Sequence, residues 1–562
     1  MFQNTRFMPK KTSLTYPVFF FLLCLDLCAQ KFSLHIAPKD SLEMVSEIAL
    51  KYKNTLDTKE ALEQEITRVI NKLEHLGYLN LQLSRIEKED SLKATLLLSK
   101  KVQSLVLYFP EELEAPASVT LSKERRTKVS FEQFHNLLPV LTEACEKKGF
   151  PFAEIKLQNI LQKKTTIWAD LVIEKGSKRN MDKVVLMGYT EFPKKFLKHH
   201  LQISPKTNFT NERLQAASEA METLRFVKEI KPPEALFVKD STHIYLYLKE
   251  RHANRVDALL GFTSDENTQK LQFNGYIDLE LTNRFQKGET LSLFWSNNGN
   301  QQEQFRVKTN FPYLFNSPIS QKIKFEIYKQ DSSFVNIKGE TTFDYHINYR
   351  QKIGVTASTE NSERNSTKNE SANTSSFTSH FYGLQYDYLL LHKEIRDPKW
   401  HFFIKLEQGK RKTNERSTIQ QHLKANISYL GVLSKKGRLF VKNETAGLRS
   451  ETILFNELFR LGGTNSIRGF NELSLFASSY NYSNIEYRWS TQKESYLYGF
   501  SDIGFLENNA QQRKSKLLSF GLGYANETKT GLLNFSYAFG KTNKEAFDLN
   551  RGLFHLKWVN FF

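Results

Sequence analysis

The chain reads as α+β repeats followed by an all-β transmembrane barrel of about 16 antiparallel strands. Three observations predict this. From Arg251 to the last residue, segments that alternate apolar and polar side chains are broken only by polar turns, the period-two signature of strands. Between residues 34 and 251 one pattern of helix, aromatic turn and two strands comes three times. The N-terminus reads as an export leader.

That leader has Arg6, Lys10 and Lys11, an apolar run over 18–25, then Leu27-Cys28-Ala29-Gln30. A basic stretch, a short apolar core and a small residue at the cut predict a secretory signal over 1–29, removed after Ala29. Leu25-Asp26-Leu27-Cys28 also resembles a lipobox that would acylate Cys28, although Leu27 is bulky where such sites want a small residue. Either way the chain is exported. Of the three cysteines only Cys145 lies beyond the leader, so cleavage after Ala29 leaves no intrachain disulfide. At 562 residues there is room for three or four domains. Mean hydropathy is −0.49, and no stretch after the leader approaches the ~20 unbroken apolar residues of a spanning helix. Aromatics at 13%, mostly 44 Phe and 23 Tyr, suit strands and the interfacial girdles of barrels. The formal charge of +18 would fit nucleic acid in the cytoplasm. In an exported chain it fits anionic outer-membrane lipid or lipopolysaccharide, or solvated loops rich in Lys.

The first repeat, residues 33–101, places Leu62, Ile66, Val69, Ile70, Leu73 and Leu76 on one helical face and ends the helix at Gly77-Tyr78. The second, 102–178, has Phe134, Leu137, Leu138 and Leu141 on its helix, the turn Gly149-Phe150-Pro151-Phe152-Ala153, and a closing strand over 167–174. The third, 181–251, opens with a strand at 184–187, puts Leu214, Ala217, Met221 and Leu224 on a helix, and closes at 244–248. Serial repeats of about 75 residues imply stacked small modules.

The barrel, 252–562, is predicted from parity. In 530–540 Leu533, Phe535, Tyr537 and Phe539 oppose Asn534, Ser536, Ala538 and Gly540. A sandwich would bury its apolar face on another sheet, whereas faces this small and polar suit a crowded lumen with apolar side chains turned to lipid. Closure also removes the edges that would otherwise aggregate. Residues 358–376 are too polar to pack and are expected to form a mobile loop.

One stretch, Phe459-Arg460-Leu461-Gly462-Gly463-Thr464-Asn465-Ser466-Ile467-Arg468-Gly469-Phe470, breaks the strand pattern. Its apolar residues would be exposed on an ordinary loop, so the loop, 449–472, is expected to fold into the lumen. Glu486 lies opposite Ile485 and Tyr487, and Asp502 opposite Ile503 and Phe505, so both carboxylates face the lumen if the apolar faces meet lipid. Arg468 is their natural partner, because its planar fork takes carboxylates bidentately and keeps its charge. Gly469 removes a side chain where the tip presses on strands, and Phe470 is expected to stack beside it.

Gly149-Phe150-x-x-Ala153, and Val172-Ile173-Glu174-Lys175-Gly176 next to the strand at 184–187, resemble POTRA domains. That resemblance implies periplasmic β-α-α-β-β units whose open sheet edges accept an incoming strand, or else spacers that dock accessory subunits of the periplasm or inner membrane. Ile467-Arg468-Gly469-Phe470, Glu486 on the next strand and Phe500-x-Asp502-x-Gly504 on the one after, behind such repeats, resemble the BamA/TamA-type outer-membrane assembly proteins with a bacterial surface antigen barrel. Three repeats look more like the TamA branch. The resemblance implies a chain of the bacterial outer membrane with its repeats in the periplasm. It implies that unfolded β-barrel or autotransported clients are received and inserted through a lateral seam between the first and last strands. In this sequence the seam would hold Val256, Ala258 and Leu260 against Phe554, Leu556, Trp558 and Phe562. A two-partner-type polypeptide secretion pore is the alternative. The final aromatic carboxyl-terminus resembles the signal by which such barrels are assembled.

No enzyme, cofactor or metal site is expected. His199-His200 lacks a carboxylate at ligand spacing, and Gly521-x-Gly523 lies in a strand rather than at a helix start. No nucleic-acid partner is expected either.

Overall fold

The computed structural model describes residues 31–38, 52–88, 91–98, 100–264, 271–297, 302–365, 373–392, 398–492, 495–528, 531–543 and 552–562. The leader, Cys28 included, lies outside the described residues. The chain divides into two compact units, one running to Ser177 except for Lys147–Pro151, the other holding the remainder.

The first unit contains two four-stranded sheets. In one, the order is Thr55–Leu56, Lys31–Pro38, Ser91–Leu98, Gln82–Lys88, with the two central strands parallel. The helix Lys59–His75 starts where the Thr58 hydroxyl accepts from the Ala61 amide at 3.1 Å. Leu62, Ile66, Val69 and Leu73, one stripe at helical spacing, are buried with Leu34, Ala94 and Leu96. In the other sheet the order is Arg126–Ser130, Ser104–Tyr108, Thr166–Glu174, Glu154–Lys163, covered by the helix Phe131–Lys147.

The second module departs from the expected two-helix unit: among the described residues it has one helix, and an extra strand, Arg126–Ser130, lies outside Ser104–Tyr108 as the new edge of the sheet. In the second module the physical reason is visible. Pro110 and Pro116 interrupt any helix after Tyr108. Arg125, at φ 57°, donates to the carbonyls of Phe109, Pro110 and Leu113 and turns the chain back as a hairpin strand.

The second unit begins with a three-stranded sheet, Val227–Phe237, Thr242–Glu250, Lys183–Gly188, and two helices, Lys194–His199 and Asn211–Glu222. It continues into a closed barrel of sixteen strands, from Arg255–Ser264 to Leu553–Phe561, each antiparallel to its neighbours in sequence order. Parity behaves as the sequence predicts. Ile485, Tyr487, Leu497, Ile503, Phe505, Leu522 and Tyr537 point outward and are exposed, whereas Glu486, Asp502, Ser519, Ser536 and Ala538 are buried inside. No helix among the described residues is long and apolar enough to cross a membrane. The strands cross it.

Two expectations need correction. The polar stretch expected as a loop from 358 is strand as far as Arg364, because its inward side chains find partners: Glu360 pairs with Lys338, and Ser362 donates to Asn336 at 2.6 Å. Residues 366–372 lie outside the described residues. The strand expected from 473 starts instead at Ser479, since Leu475–Ala477 pairs with Phe459–Leu461 in a small hairpin of the lumen loop.

His199 and His200, which lack a carboxylate at ligand spacing, sit where the third module meets the barrel's turns. His200 is buried. Its Nδ1 accepts from the Tyr313 hydroxyl at 2.8 Å and its Nε2 donates to the Ala220 carbonyl at 3.0 Å. Phe196 meets Tyr313 edge-on at 4.9 Å.

Candidate functional site

The segment between the eleventh strand, Gly437–Ser450, and the twelfth, Ser479–Gln492, folds into the lumen. Leu458, Leu461 and Ile467 are buried there, with Ile467 among Ala446, Ala477, Tyr480, Tyr482, Leu506 and Leu517. Burial of these side chains supplies the gain that holds a glycine-rich loop inside a polar wall. Gly462 and Gly463, at φ 107° and 88°, turn the chain into the tip. The tip is fixed locally: the Gly462 amide donates to Ser466 Oγ at 2.8 Å, and Asn484 Nδ2 donates to the Ser466 carbonyl at 2.8 Å.

Arg468 is 6% exposed and reaches both predicted carboxylates. Its Nη2 and Nε donate to Asp502 at 2.6 and 3.0 Å, and its own amide donates to Asp502 Oδ2 at 2.9 Å. Its Nη1 donates to Glu486 Oε1 at 2.7 Å, while Glu486 Oε2 accepts from Arg488 Nε at 2.8 Å. Two guanidinium groups and two carboxylates therefore cancel in charge, the condition for holding ions in a dry interior. The ring on which Arg468 lies is Phe500, 3.7 Å from the guanidinium carbon, and not Phe470. Phe470 instead packs at Gly540, where an added Cβ would fall 3.0 Å from its ring. The reason is the left-handed Gly469 between Arg468 and Phe470, at φ 78°, which sends the two side chains apart. A Cβ on Gly469 would meet the Gly540 amide nitrogen at 2.7 Å, and one on Gly504 would meet Ile467 at 2.8 Å. Both glycines are there for close approach.

A second anchorage, at the loop's base, has no sequence motif. Arg411, from the ninth strand, is buried and pairs with Glu457, which also accepts from Gln420 Nε2 at 2.8 Å and the Leu454 amide at 2.9 Å. Asn456 is fully buried, donating to Ser362 Oγ at 2.6 Å while its carbonyl accepts from Asn336 at 2.7 Å. Arg460 lies 3.7 Å over Tyr328 of the fifth strand. The loop thus spans the lumen between opposite walls. Inward parity was the one signal that could have singled out Arg411.

The seam closes differently. The first and last strands pair only at Arg255↔Phe561, Val256↔Asn560 and Asp257↔Val559. The same first strand pairs with its other neighbour from Arg255↔Glu280 to Ser264↔Leu271, and the last with the fifteenth from Gly531↔Asn560 to Ala538↔Leu553. Of the predicted seam residues, Val256 is in the paired part and Ala258 is beyond it; the Leu260 side chain lies outside the described residues. Phe554, Leu556 and Trp558 face outward on the unpaired stretch. The Phe562 amide donates to the Asn254 carbonyl at 3.0 Å, just past the three pairs. From inside, the loop tip touches the unpaired part of the last strand, where the Gly469 amide donates to His555 Nε2 at 3.3 Å.

A closed sixteen-stranded barrel with an internal loop, preceded by POTRA-like modules, defines an outer-membrane protein whose modules lie in the periplasm. Residues 420–562 match the Omp85 superfamily domain, a span holding the lumen loop, Glu486, Asp502 and the last strand. That match covers the last quarter of the chain, and the architecture of the whole is similar to that of the BamA/TamA type. Among solved structures it is similar to CdiB from Acinetobacter baumannii, at 13% identity over 89% of this chain and 98% of that one, TM-score 0.51. It is similar to CdiB from Escherichia coli at 11% identity, over 90% and 97% of the two chains, TM-score 0.51. BamA from Haemophilus ducreyi lacking POTRA domains 1-3 matches at 14% identity over 76% and 92%, TM-score 0.43. No curated protein matches the chain in a sequence search. At these identities the likeness to CdiB concerns the fold.

Proposed function

We propose that this protein inserts unfolded outer-membrane or autotransported polypeptides into the membrane through the seam between its first and last strands. The observation that carries this reading is the three-pair seam in a barrel whose other ladders are long. Net hydrogen bonds of about 1 kcal/mol each make so short a ladder the cheapest place to part the wall. The edges left unpaired present backbone donors and acceptors that pair with a strand of almost any sequence. The Arg468 clamp holds the loop against the twelfth and thirteenth strands, so the wall behind the last strand stays fixed while the seam parts. On this reading Arg468, Glu486 and Asp502 are positioning residues and no residue is catalytic.

Secretion of one dedicated polypeptide through the lumen is the second reading, favoured by the likeness in fold to CdiB. Quantitative proteomics of outer membranes after depletion of the protein separates them. Insertion predicts a fall in several unrelated β-barrel proteins. Loss of one secreted polypeptide, with the membrane complement unchanged, would overturn it in favour of secretion.

A further inference from the structure

We propose that two periplasmic turns of the barrel, with the short basic helix of the third module, form a platform that rests on the periplasmic leaflet of the outer membrane. The turns follow the second and fourth strands, and each carries a phenylalanine where a soluble turn would carry a polar residue. Phe285 is 72% exposed and Phe315 is 98% exposed. Neither is loose. In the first turn Glu289 accepts from the Phe285 amide at 2.6 Å and the Lys287 amide at 3.0 Å, and Asn283 accepts from the Gly288 amide at 2.7 Å. In the second, Tyr313, Phe315 and Asn316 all have left-handed backbones, at φ 55°, 50° and 56°, a conformation that disfavours bulky side chains.

Such strain persists only where the surroundings over-determine it. Here Lys195 donates to the Pro312 carbonyl, His199 Nε2 donates to the Asn316 carbonyl at 2.7 Å, and Tyr313 is buried against Phe196 and His200. The third module therefore holds the turn in the shape that thrusts Phe315 outward. Phe196 also fills the space beside Gly288, where a Cβ would fall 2.2 Å from its ring, so the two turns flank one helix.

The occupant that fits is a lipid surface. Leu291, Phe311 and Ile319, at the feet of the same hairpins, are exposed on the lipid-facing side, so the apolar wall of the barrel continues to the turns. On the helix and the first turn Lys194, Lys198, Arg284 and Lys287 are exposed, against the exposed acids Glu191 and Glu250 beside Tyr189. Aromatic side chains ringed by cations match the acyl boundary and anionic headgroups of a leaflet. The platform would fix the third module at the membrane surface below the first five strands.

The test places a nitroxide on Phe315→Cys, and separately on Phe285→Cys, in the chain from Gln30 onward, which lacks Cys24 and Cys28, reconstituted into vesicles of phosphatidylethanolamine and phosphatidylglycerol. Cys145 is buried and stays unlabelled. Relaxation by oxygen and by a water-soluble nickel chelate is compared with the same label on Lys164→Cys, an exposed turn of the second module. The proposal predicts an oxygen-to-nickel ratio several-fold higher at 315 and 285 than at 164. A ratio equal to that at 164 would overturn it. Exclusion of both relaxants would indicate a protein cover and overturn it equally. If one variant fails to insert, the other carries the test.

Discussion

The lumen clamp and the seam lie a few strands apart in one barrel and are built on opposite principles. At the clamp a single arginine makes four hydrogen bonds to two carboxylates, is backed by Phe500, and sits in a loop whose glycines admit direct backbone contact. At the seam two strands long enough for many pairs make three. A uniform barrel would spread its bonding evenly. Concentrating rigidity on strands twelve to fifteen while leaving the junction of one and sixteen short sets where the wall parts first, and keeps the rest intact when it does.

Removing the clamp is expected to have the largest effect. Arg468→Ala would leave Asp502 and one oxygen of Glu486 buried without their cation, at a cost of about 3–5 kcal/mol. Arg468→Lys would recover part of this, since a point charge cannot fork between the two carboxylates. Both are read as the denaturant midpoint of the folded band on unheated gels; a wild-type midpoint for Arg468→Ala would break the contrast between clamp and seam.

Acid should act at a third place, the joint between the third module and the barrel. Burial holds the His200 imidazole at about 4, below its ordinary 6.5. The unfolded or detached form therefore binds the proton first as pH falls. The joint keeps its full stability above about 6.5 and loses up to about 3 kcal/mol on the way to 4. Protease sensitivity of the joint should rise across that window in the wild type and rise less in His200→Gln, where the buried His346 on the other side of Tyr313 remains.

Asn456→Ala, which leaves the Ser362 and Ser375 groups without their donor, should cost about 1–3 kcal/mol and loosen the loop's base without freeing its tip. Protection of loop amides from hydrogen exchange reports this: base lost, tip kept. The smallest effect is expected for Arg225→Ala, which breaks an ion pair with Glu280 in which the arginine is largely exposed, worth under about 1 kcal/mol in the same denaturant assay.

What the sequence made legible followed from periodicity. All sixteen barrel strands could be read, because outward Leu, Phe and Tyr alternate with small or polar inward residues along each of them. Arg468, Glu486 and Asp502 were readable as a lumen-facing set for the same reason, given one loop too apolar for solvent. Contacts between residues far apart in the chain left no such trace. His200 meets Tyr313 across 113 positions and Asn456 meets Asn336 across 120, and neither pair has a periodic signature. Arg125 was equally silent, since its hook onto three carbonyls depends on a left-handed turn that no residue type announces. The ring under Arg468, Phe500, left no trace either, because the positive φ of Gly469 that turns Phe470 away is invisible in sequence.

The central claim, that the seam must part for the protein to work, is met most directly by locking it. Val256 and Asn560 are register partners, and cysteines at both, oxidised to a disulfide, would join the two strands at Cα separations that antiparallel partners allow. Assembly of other β-barrel proteins into the outer membrane is then measured with the lock closed and after reduction. The account predicts that assembly falls when the disulfide forms and returns when it is reduced, with the barrel itself folded throughout. Undiminished assembly with the lock fully formed would contradict it.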